Sequence, residues 1–265
     1  MTSIIVPAHN EASHIGGNLT LLTLGAEPDE FEIIVVANGC TDATVDVARG
    51  IPGIHVIDLP QPGKAAALRA GDAAATRLAR IYLDADVALS AHEARALTKT
   101  VTQPGIHAAT GRRRIVTRDS SLAVQAFYAI NKRLPVYDDG LFGRGVIAVG
   151  PIGRARFDEF PDAIADDLFL DSLFSSDEKC QVDDVVTSVV APRTARQLIR
   201  RLARVRFGNR TMRTVSRARP ASSSSWLRHV VLPRPWLWPA GLCYAAVVVA
   251  AEIMSRRAGL TWGHT

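Results

Sequence analysis

The sequence predicts an α/β protein with a mostly parallel sheet flanked by helices and followed by a basic, helical C-terminal tail. Three observations point there. β-Branched apolar runs alternate with alanine- and leucine-rich segments through the first hundred residues. The runs are continuous rather than strictly alternating, as in strands covered on both faces. Polar clusters stand directly behind the runs, where ligands bind in parallel sheets.

Taken in order, residues 3–7 and 31–37 read as buried strands. Between them residues 11–24 read as a helix, weakened by Gly16 and Gly17. A short helix over 41–49 and a strand over 54–59 come next. Residues 64–78 have the best helix propensity, with Gly63 just before them, and residues 80–83 form a strand ending at Asp84-Ala85-Asp86-Val87. Strand and helix in this alternation form the βαβ pattern of a parallel sheet. Further on, residues 108–116 suit a strand carrying Arg112, Arg113 and Arg114, and 120–134 a helix. A strand over 145–149 lies between Gly143 and Gly150, where tight turns fit. Residues 166–174 read as a helix and 181–190 as a strand closed by Pro192, with Asp183-Asp184 as a loop or edge feature within it.

The chain of 265 residues is long enough for one large α/β domain, or a domain with a small appendage. A hydrophobic content of 48% excludes disordered and fibrous classes. Three widely spaced cysteines, Cys40, Cys180 and Cys243, argue for a reducing compartment and against a disulfide scaffold. The chain enters a strand at Ser3 with no basic segment before it, so no signal peptide is expected. The expected location is cytoplasmic, at the inner face of the cell membrane.

Charge is unevenly spread. Residues 1–184 carry 17 basic and 25 acidic side chains, a net −8, whereas residues 185–265 carry 14 arginines and the single acid Glu252, a net +13. Such a tail suits a polyanion or an anionic membrane surface. A basic helix over 193–215 and the low-complexity 221–225 lead into an uncharged run of 17 residues, 235–251. That run favours the membrane over nucleic acid, although it is at the short edge for a span. Trp236, Trp238 and Tyr244 suit an interface, and Arg228, Arg234, Arg256 and Arg257 bracket the run. It fits a membrane-inserted or interfacial helix, a helix packed on the catalytic domain, or an oligomer contact. Pro235 and Pro239 are tolerated in its first turns.

Chemistry centres on Asp84 and Asp86. In an extended segment these alternate residues share a face, and carboxylates at a strand end hold a hard divalent cation, Mn²⁺ or Mg²⁺, against a diphosphate. A solvated loop is the plain alternative. Pro7-Ala8-His9-Asn10-Glu11 and Asn38-Gly39-Cys40-Thr41-Asp42 stand after the first two strands and converge on the same crevice; Glu11 and Asp42 equally suit helix caps or first turns. Lys64 in Pro62-Gly63-Lys64 can reach a phosphate or a carboxylate beside it. The P-loop spacing and the dinucleotide fingerprint are both absent. Asp166-Asp167 offers either a general base or an acidic first helical turn. No nucleophile elbow occurs, and the seven histidines show no zinc-ligand spacing.

In their order and spacing these motifs resemble the inverting family 2 glycosyltransferases with the GT-A fold, over about residues 3–215. Pro7–Glu11 is similar to the family's opening Pro-x-x-Asn-Glu segment, and Asn38–Asp42 to its Asn-Gly-Ser-x-Asp segment with Cys40 in the serine place. The resemblance implies that Pro7, Ala8, Asn10, Glu11, Asn38 and Asp42 hold the nucleotide, with Asp42 facing the base. It places Lys64 beside the donor, Asp84 and Asp86 in the metal and nucleotide-sugar motif with Asp86 on the metal, and Asp167 as catalytic base. Asp166 stands where glutamate is usual. Arg200 or Arg201 would approach the donor diphosphate. The Gln-x-x-Arg-Trp motif of processive synthases is missing, so transfer of one sugar is expected. The acceptor is a hydroxyl or phosphate, with a polyprenyl phosphate or glycolipid as candidates. A nucleotidyltransferase would usually carry a glycine-rich basic loop in place of Ala8–Glu11; an inactive membrane-associated binding protein is the other alternative. The implied layout is a catalytic domain over 1–215, a basic serine-rich linker over 216–234 and an apolar helix over 235–257.

Overall fold

A computed structural model of the protein describes residues 1–162, 165–215 and 225–257. Its first half runs β1 (Thr2–Ala8), α1 (Ile15–Thr23), β2 (Phe31–Asn38), α2 (Thr44–Arg49), β3 (Ile54–Leu59), α3 (Lys64–Ala74), β4 (Arg80–Leu83) and α4 (Ala91–Val101). The second half runs β5 (Ala108–Val116), α5 (Leu122–Asn131), α6 (Val136–Asp139), β6 (Val146–Val149), α7 (Pro151–Arg154), α8 (Asp166–Ser172), β7 (Lys179–Val190), α9 (Ala195–Val215) and α10 (Trp238–Arg257). The strands form one sheet in the order β3-β2-β1-β4-β6-β5-β7. Only β6 is antiparallel to its neighbours, so the other six strands point the same way and their carboxyl ends share one edge.

Both faces of the sheet are covered, which is why its strands are apolar throughout. In β1, Ile4 and Val6 pack with Ile15, Leu19 and Leu22 of α1 and Leu97 of α4, whereas Ile5 faces Leu68 of α3, Phe160 and Leu170. Successive side chains thus enter opposite cores. A third core joins Val124, Phe127 and Ile130 of α5 to Leu198 of α9 and Tyr244 and Val247 of α10. There Phe127 and Tyr244 stack with centroids 4.9 Å apart.

Local chemistry sets several boundaries that differ from expectation. The helix expected over 11–24 begins only at Ile15. Residues 12–14 form a turn in which the His14 and Ile15 amides both donate to Glu11 O (3.0 and 2.9 Å), and the Glu11 and Ala12 amides donate to Thr44 Oγ1 (2.8 Å) and Asp42 Oδ2 (3.1 Å). The helix expected over 64–78 stops at Ala74: the Thr76 amide donates to Glu32 Oε2 (2.8 Å) and the Arg77 amide to Ser3 Oγ (3.1 Å). β7 begins at Lys179, and Asp183 and Asp184 lie in its register shift opposite Gly111 and Arg112 on the sheet edge. Helix α4 was not expected, although Ser90 and Glu93 form a reciprocal capping box at its start. Of the expected linker, residues 216–224 lie outside the described residues, while Val230 and Val231 are buried in the third core.

Helix α3 lies so close to β1 that a Cβ at Gly71 would stand 2.5 Å from Ile5 Cγ2. Alanine gains about 1 kcal/mol of helix propensity there, but overpacking costs about 1–3 kcal/mol. Gly71→Ala is therefore expected to lower the urea midpoint without changing the slope of unfolding.

Candidate active site

The shared carboxyl edge gathers the loops behind β1, β2 and β4. Asn38, almost fully buried, ties them together: its Nδ2 donates to Ala8 O (2.8 Å) and its Oδ1 accepts from the Gly63 amide (3.0 Å). Gly39 has φ +61°, and a Cβ there would meet Pro62 N at 2.6 Å, so the second loop is pressed against the start of α3. Pro7 is buried at the end of β1, level with Val36. Asn10, also at positive φ, accepts from the Thr41 amide at 2.8 Å. Asp42 accepts from the Thr44 amide (3.0 Å), the Thr44 hydroxyl (2.5 Å) and the Ala12 amide (3.1 Å). Against a desolvation that works the other way, these donors hold the Asp42 carboxyl below the usual range. It is an anchored, exposed carboxylate at the mouth of the crevice.

A second group of acids lies deeper. The Lys64 ammonium is 2.7 Å from Asp84 Oδ1 and 3.1 Å from Asp166 Oδ2. Burial alone would depress the lysine; the charges of Asp166 and Asp84 reverse this and hold it above its ordinary value. Desolvation pushes Asp166 up to about 6, with Asp167 and Asp84 adding to the rise and Lys64 opposing it. Asp167 accepts from the Gly143 amide (3.0 Å) and from the Leu168 amide (2.8 Å). Asp171, one turn along α8, accepts from Leu141 N (2.8 Å) and Lys179 Nζ (2.9 Å). The start of α8 is thereby clamped to the 140–145 loop.

Asp84 and Asp86 do not lie along an extended segment as expected. The chain turns after β4, with the Val87 amide donating to Asp84 O at 3.0 Å, and Gly145 packs against this turn. A Cβ at Gly145 would meet Val87 Cγ2 at 2.4 Å. The turn separates the two carboxylates: Asp84 faces Lys64, and Asp86 is exposed to the crevice. Desolvation and then Asp84 raise the Asp86 carboxyl, while Arg201 and Lys64 moderate the rise. Glu11 is raised too, first by desolvation and next by Asp86. Both Arg200 and Arg201 are exposed on α9, and Arg201 is the one whose charge acts on Asp86. Sequence pattern did not single out Gly145 or the tie between Lys64 and Asp166. The signal for Gly145 was a second glycine two residues after Gly143.

Among the described residues no three His, Cys, Asp or Glu side chains form a ready-made metal cage. A Mg²⁺- or Mn²⁺-type ion held jointly with a diphosphate needs only one or two carboxylates. Asp86 fits that requirement: its oxygens are hard donors, and desolvation and the Asp84 charge leave it in need of a positive neighbour.

The family model described as glycosyl transferase family 2 matches residues 3–141, which contain all these strand-end motifs up to Asp86. The chain belongs to that family. No curated protein matches this family 2 glycosyltransferase in sequence. Solved structures match it in fold. The mannosyltransferase PcManGT from Pyrobaculum calidifontis, in complex with GDP-Man and Mn²⁺, is 20% identical with a TM-score of 0.63, covering 98% of this chain and 76% of its own. Glucosyl-3-phosphoglycerate synthase from Mycobacterium tuberculosis, with Mn²⁺, UDP and glucosyl-3-phosphoglycerate, is 22% identical at a TM-score of 0.51, covering 71% of each chain. S. aureus TarS 1–349 with UDP is 14% identical at 0.54, covering 99% of this chain and 93% of its own. The mostly parallel sheet with its flanking helices is the GT-A fold of these enzymes.

Removing the Lys64 charge leaves Asp166 without its cation. In Lys64→Met the Asp166 carboxyl rises further, so the deficit against wild type is small where Asp166 is protonated in both. It grows as pH rises through and above about 6, the value for Asp166 in the intact protein. Both side chains keep some solvent contact, so a loss of about 1–3 kcal/mol at pH 8 is expected, between exposed and fully buried pairs. Urea midpoints of the two proteins between pH 5 and 8 check this.

Proposed function

We propose that the protein transfers one glycosyl group from a nucleotide-diphosphate sugar to an acceptor hydroxyl or phosphate oxygen, with inversion and with dependence on Mn²⁺ or Mg²⁺. The observation that carries the reading is the bridge of Lys64 between Asp84 and Asp166, which joins the strand-end loops of the amino-terminal half to the acids opening α8. The family supplies the transfer chemistry. Structural neighbours with GDP-Man and Mn²⁺, or with UDP and Mn²⁺, support a nucleotide-sugar donor and a metal.

In this reading Asn10, Glu11, Asn38 and Asp42, with the backbone at Pro7 and Ala8, receive the nucleotide. Lys64 and Arg201, with Arg200 nearby on α9, face the diphosphate and oppose the charge that builds on it. Asp86 would hold the divalent ion, which when bound would supply Lewis-acid stabilisation to the leaving diphosphate. Asp167 takes the proton from the acceptor oxygen as that oxygen attacks the anomeric carbon from the face opposite the leaving group. Its two backbone amide donors fix the carboxylate's orientation before the acceptor arrives. Asp166 acts through Lys64 and positions it. The arginine-rich tail and the apolar α10 favour an acceptor met at an anionic membrane, a polyprenyl phosphate or glycolipid at its inner face.

Asp167→Asn keeps the shape and removes the base, so kcat is expected to fall about 10²–10⁴-fold with donor affinity little changed. Asp166→Asn is expected to act mainly on donor KM through Lys64. Asp86→Ala is expected to abolish the gain in donor affinity that Mn²⁺ confers. Steady-state kinetics on a donor panel, with calorimetry with and without Mn²⁺, check all three. A kcat loss in Asp166→Asn exceeding that in Asp167→Asn would reassign the base.

A further inference from the structure

Helix α10 is apolar on two opposite faces, and only one is covered. Its inner face, including Tyr244, Val247, Ala251 and Ser255, is buried against α5 and α9. Its outer face carries Trp238, Leu242, Ala246, Val249 and Ile253, at steps of four, four, three and four residues. That spacing returns each side chain to the same stripe of a helix. The stripe is open: Trp238 is 56% exposed, Leu242 76%, Val249 56% and Ile253 47%. Trp236 at 72% and Leu232 at 56% are also exposed just before the helix. Beside the stripe lies a groove of about 350 Å³, lined by Val248, Val249 and Ile253 with Arg206, Glu252 and Arg256 around them. A contiguous apolar surface of this kind marks an interaction site.

We propose that this face is a monotopic membrane-binding surface, on which α10 lies in the plane of an anionic lipid–water interface and does not cross it. Length and composition alone allow residues Pro235–Arg256 to span. The inner face forbids it. Glu252 is held by Arg206 at 2.7 Å, Arg210 at 3.2 Å and Arg256 at 2.8 Å, and Arg210 also donates to Ser255 Oγ at 2.9 Å. Crossing would break this knot and the stacking of Tyr244 on Phe127, and carry a carboxylate into hydrocarbon. Lying flat keeps every one of these contacts.

Charge selects the occupant. From residue 185 onward the chain has 14 arginines against Glu252. Arg228 and Arg256 are exposed near the two ends of the stripe, where lipid phosphates would meet them. A second copy of the chain would bring two such tails together with like charge. Tryptophans at one end of an apolar stripe suit the headgroup boundary. The inference rests on α10 and the charge split, not on the transfer reaction.

Flotation of the full chain with vesicles tests it. Binding to vesicles of phosphatidylcholine mixed with phosphatidylglycerol is expected to exceed binding to phosphatidylcholine alone by about tenfold or more, given two exposed arginines at the surface. The double substitution Leu242→Glu with Val249→Glu is expected to cut anionic-vesicle binding by a further tenfold or so. Both side chains point outward, so its melting temperature and its turnover on a water-soluble acceptor are expected to match wild type. Carbonate washing at alkaline pH is expected to strip the protein from cell membranes. Failure of wild type to float, undiminished flotation of the double variant, or retention through the carbonate wash would each overturn the proposal. So would a dimer in solution that the same double variant abolishes in the absence of vesicle binding. A wild type that floats yet is inert with every donor would sink the transfer reading and leave this surface standing.

Discussion

An ammonium held between two carboxylates in a half-buried crevice is the interaction on which the site depends. Lys64 opens α3, Asp84 ends β4 and Asp166 opens α8, so one side chain joins three elements that the sequence holds far apart. Burial disfavours the charges of Lys64 and Asp166, and each offsets part of the cost of the other. The balance is incomplete. Three acids, Asp84, Asp166 and Asp167, press on one lysine, and Asp166 stays well above its ordinary value. Asp86 and Glu11 carry the same excess of negative charge toward the crevice mouth. Surplus acid of this kind favours a cation beside it.

That surplus explains why Asp84 and Asp86, two residues apart, have separate partners. If the segment ran on as a strand, both carboxylates would face one way and compete for Lys64. The turn closed by Val87 N on Asp84 O, with Gly145 pressed against it, gives Asp84 to the lysine and leaves Asp86 to the crevice. Gly145 has φ +71°, and any side chain there would strike Val87. The 140–145 loop is fixed in turn by Asp167 and Asp171 through the Gly143 and Leu141 amides. The acid proposed as base therefore also shapes the turn that presents the proposed metal ligand.

Much of this was legible in the sequence because the sheet is covered on both faces. Short continuous apolar runs, β-branched and bounded by turn residues, read as buried strands, and in a parallel sheet the polar clusters after them share one edge. Asn10, Glu11, Asn38, Asp42, Lys64, Asp84 and Asp86 are therefore found together. Features set by distant contacts were hidden. The end of α3 at Ala74 depends on Glu32 and Ser3 capturing amides from strands β2 and β1. The pairing of Lys64 with Asp166 has no local trace, since nothing in either motif names the other. Helix α4 is a different case, as its Ser90 and Glu93 cap was readable in the chain. Arg200 and Arg201 could not be told apart from sequence, because neighbours on a helix face different ways.

The basic tail connects to the same crevice through α9. One part of this helix sets Arg201 where its charge acts on Asp86, and a later part carries Arg206 and Arg210 to Glu252 on α10. Glu252 is the one acid beyond residue 184, and three arginines converge on it. A lone carboxylate so placed does little to neutralise the tail. What it does is fix the position of α9 along α10, and with it the approach of Arg201 to the crevice. Stacking of Tyr244 on Phe127 fixes α10 against α5 in the same way. A surface load on the outer stripe of α10 would therefore be borne by α5 and α9, and α9 is the helix that carries Arg201.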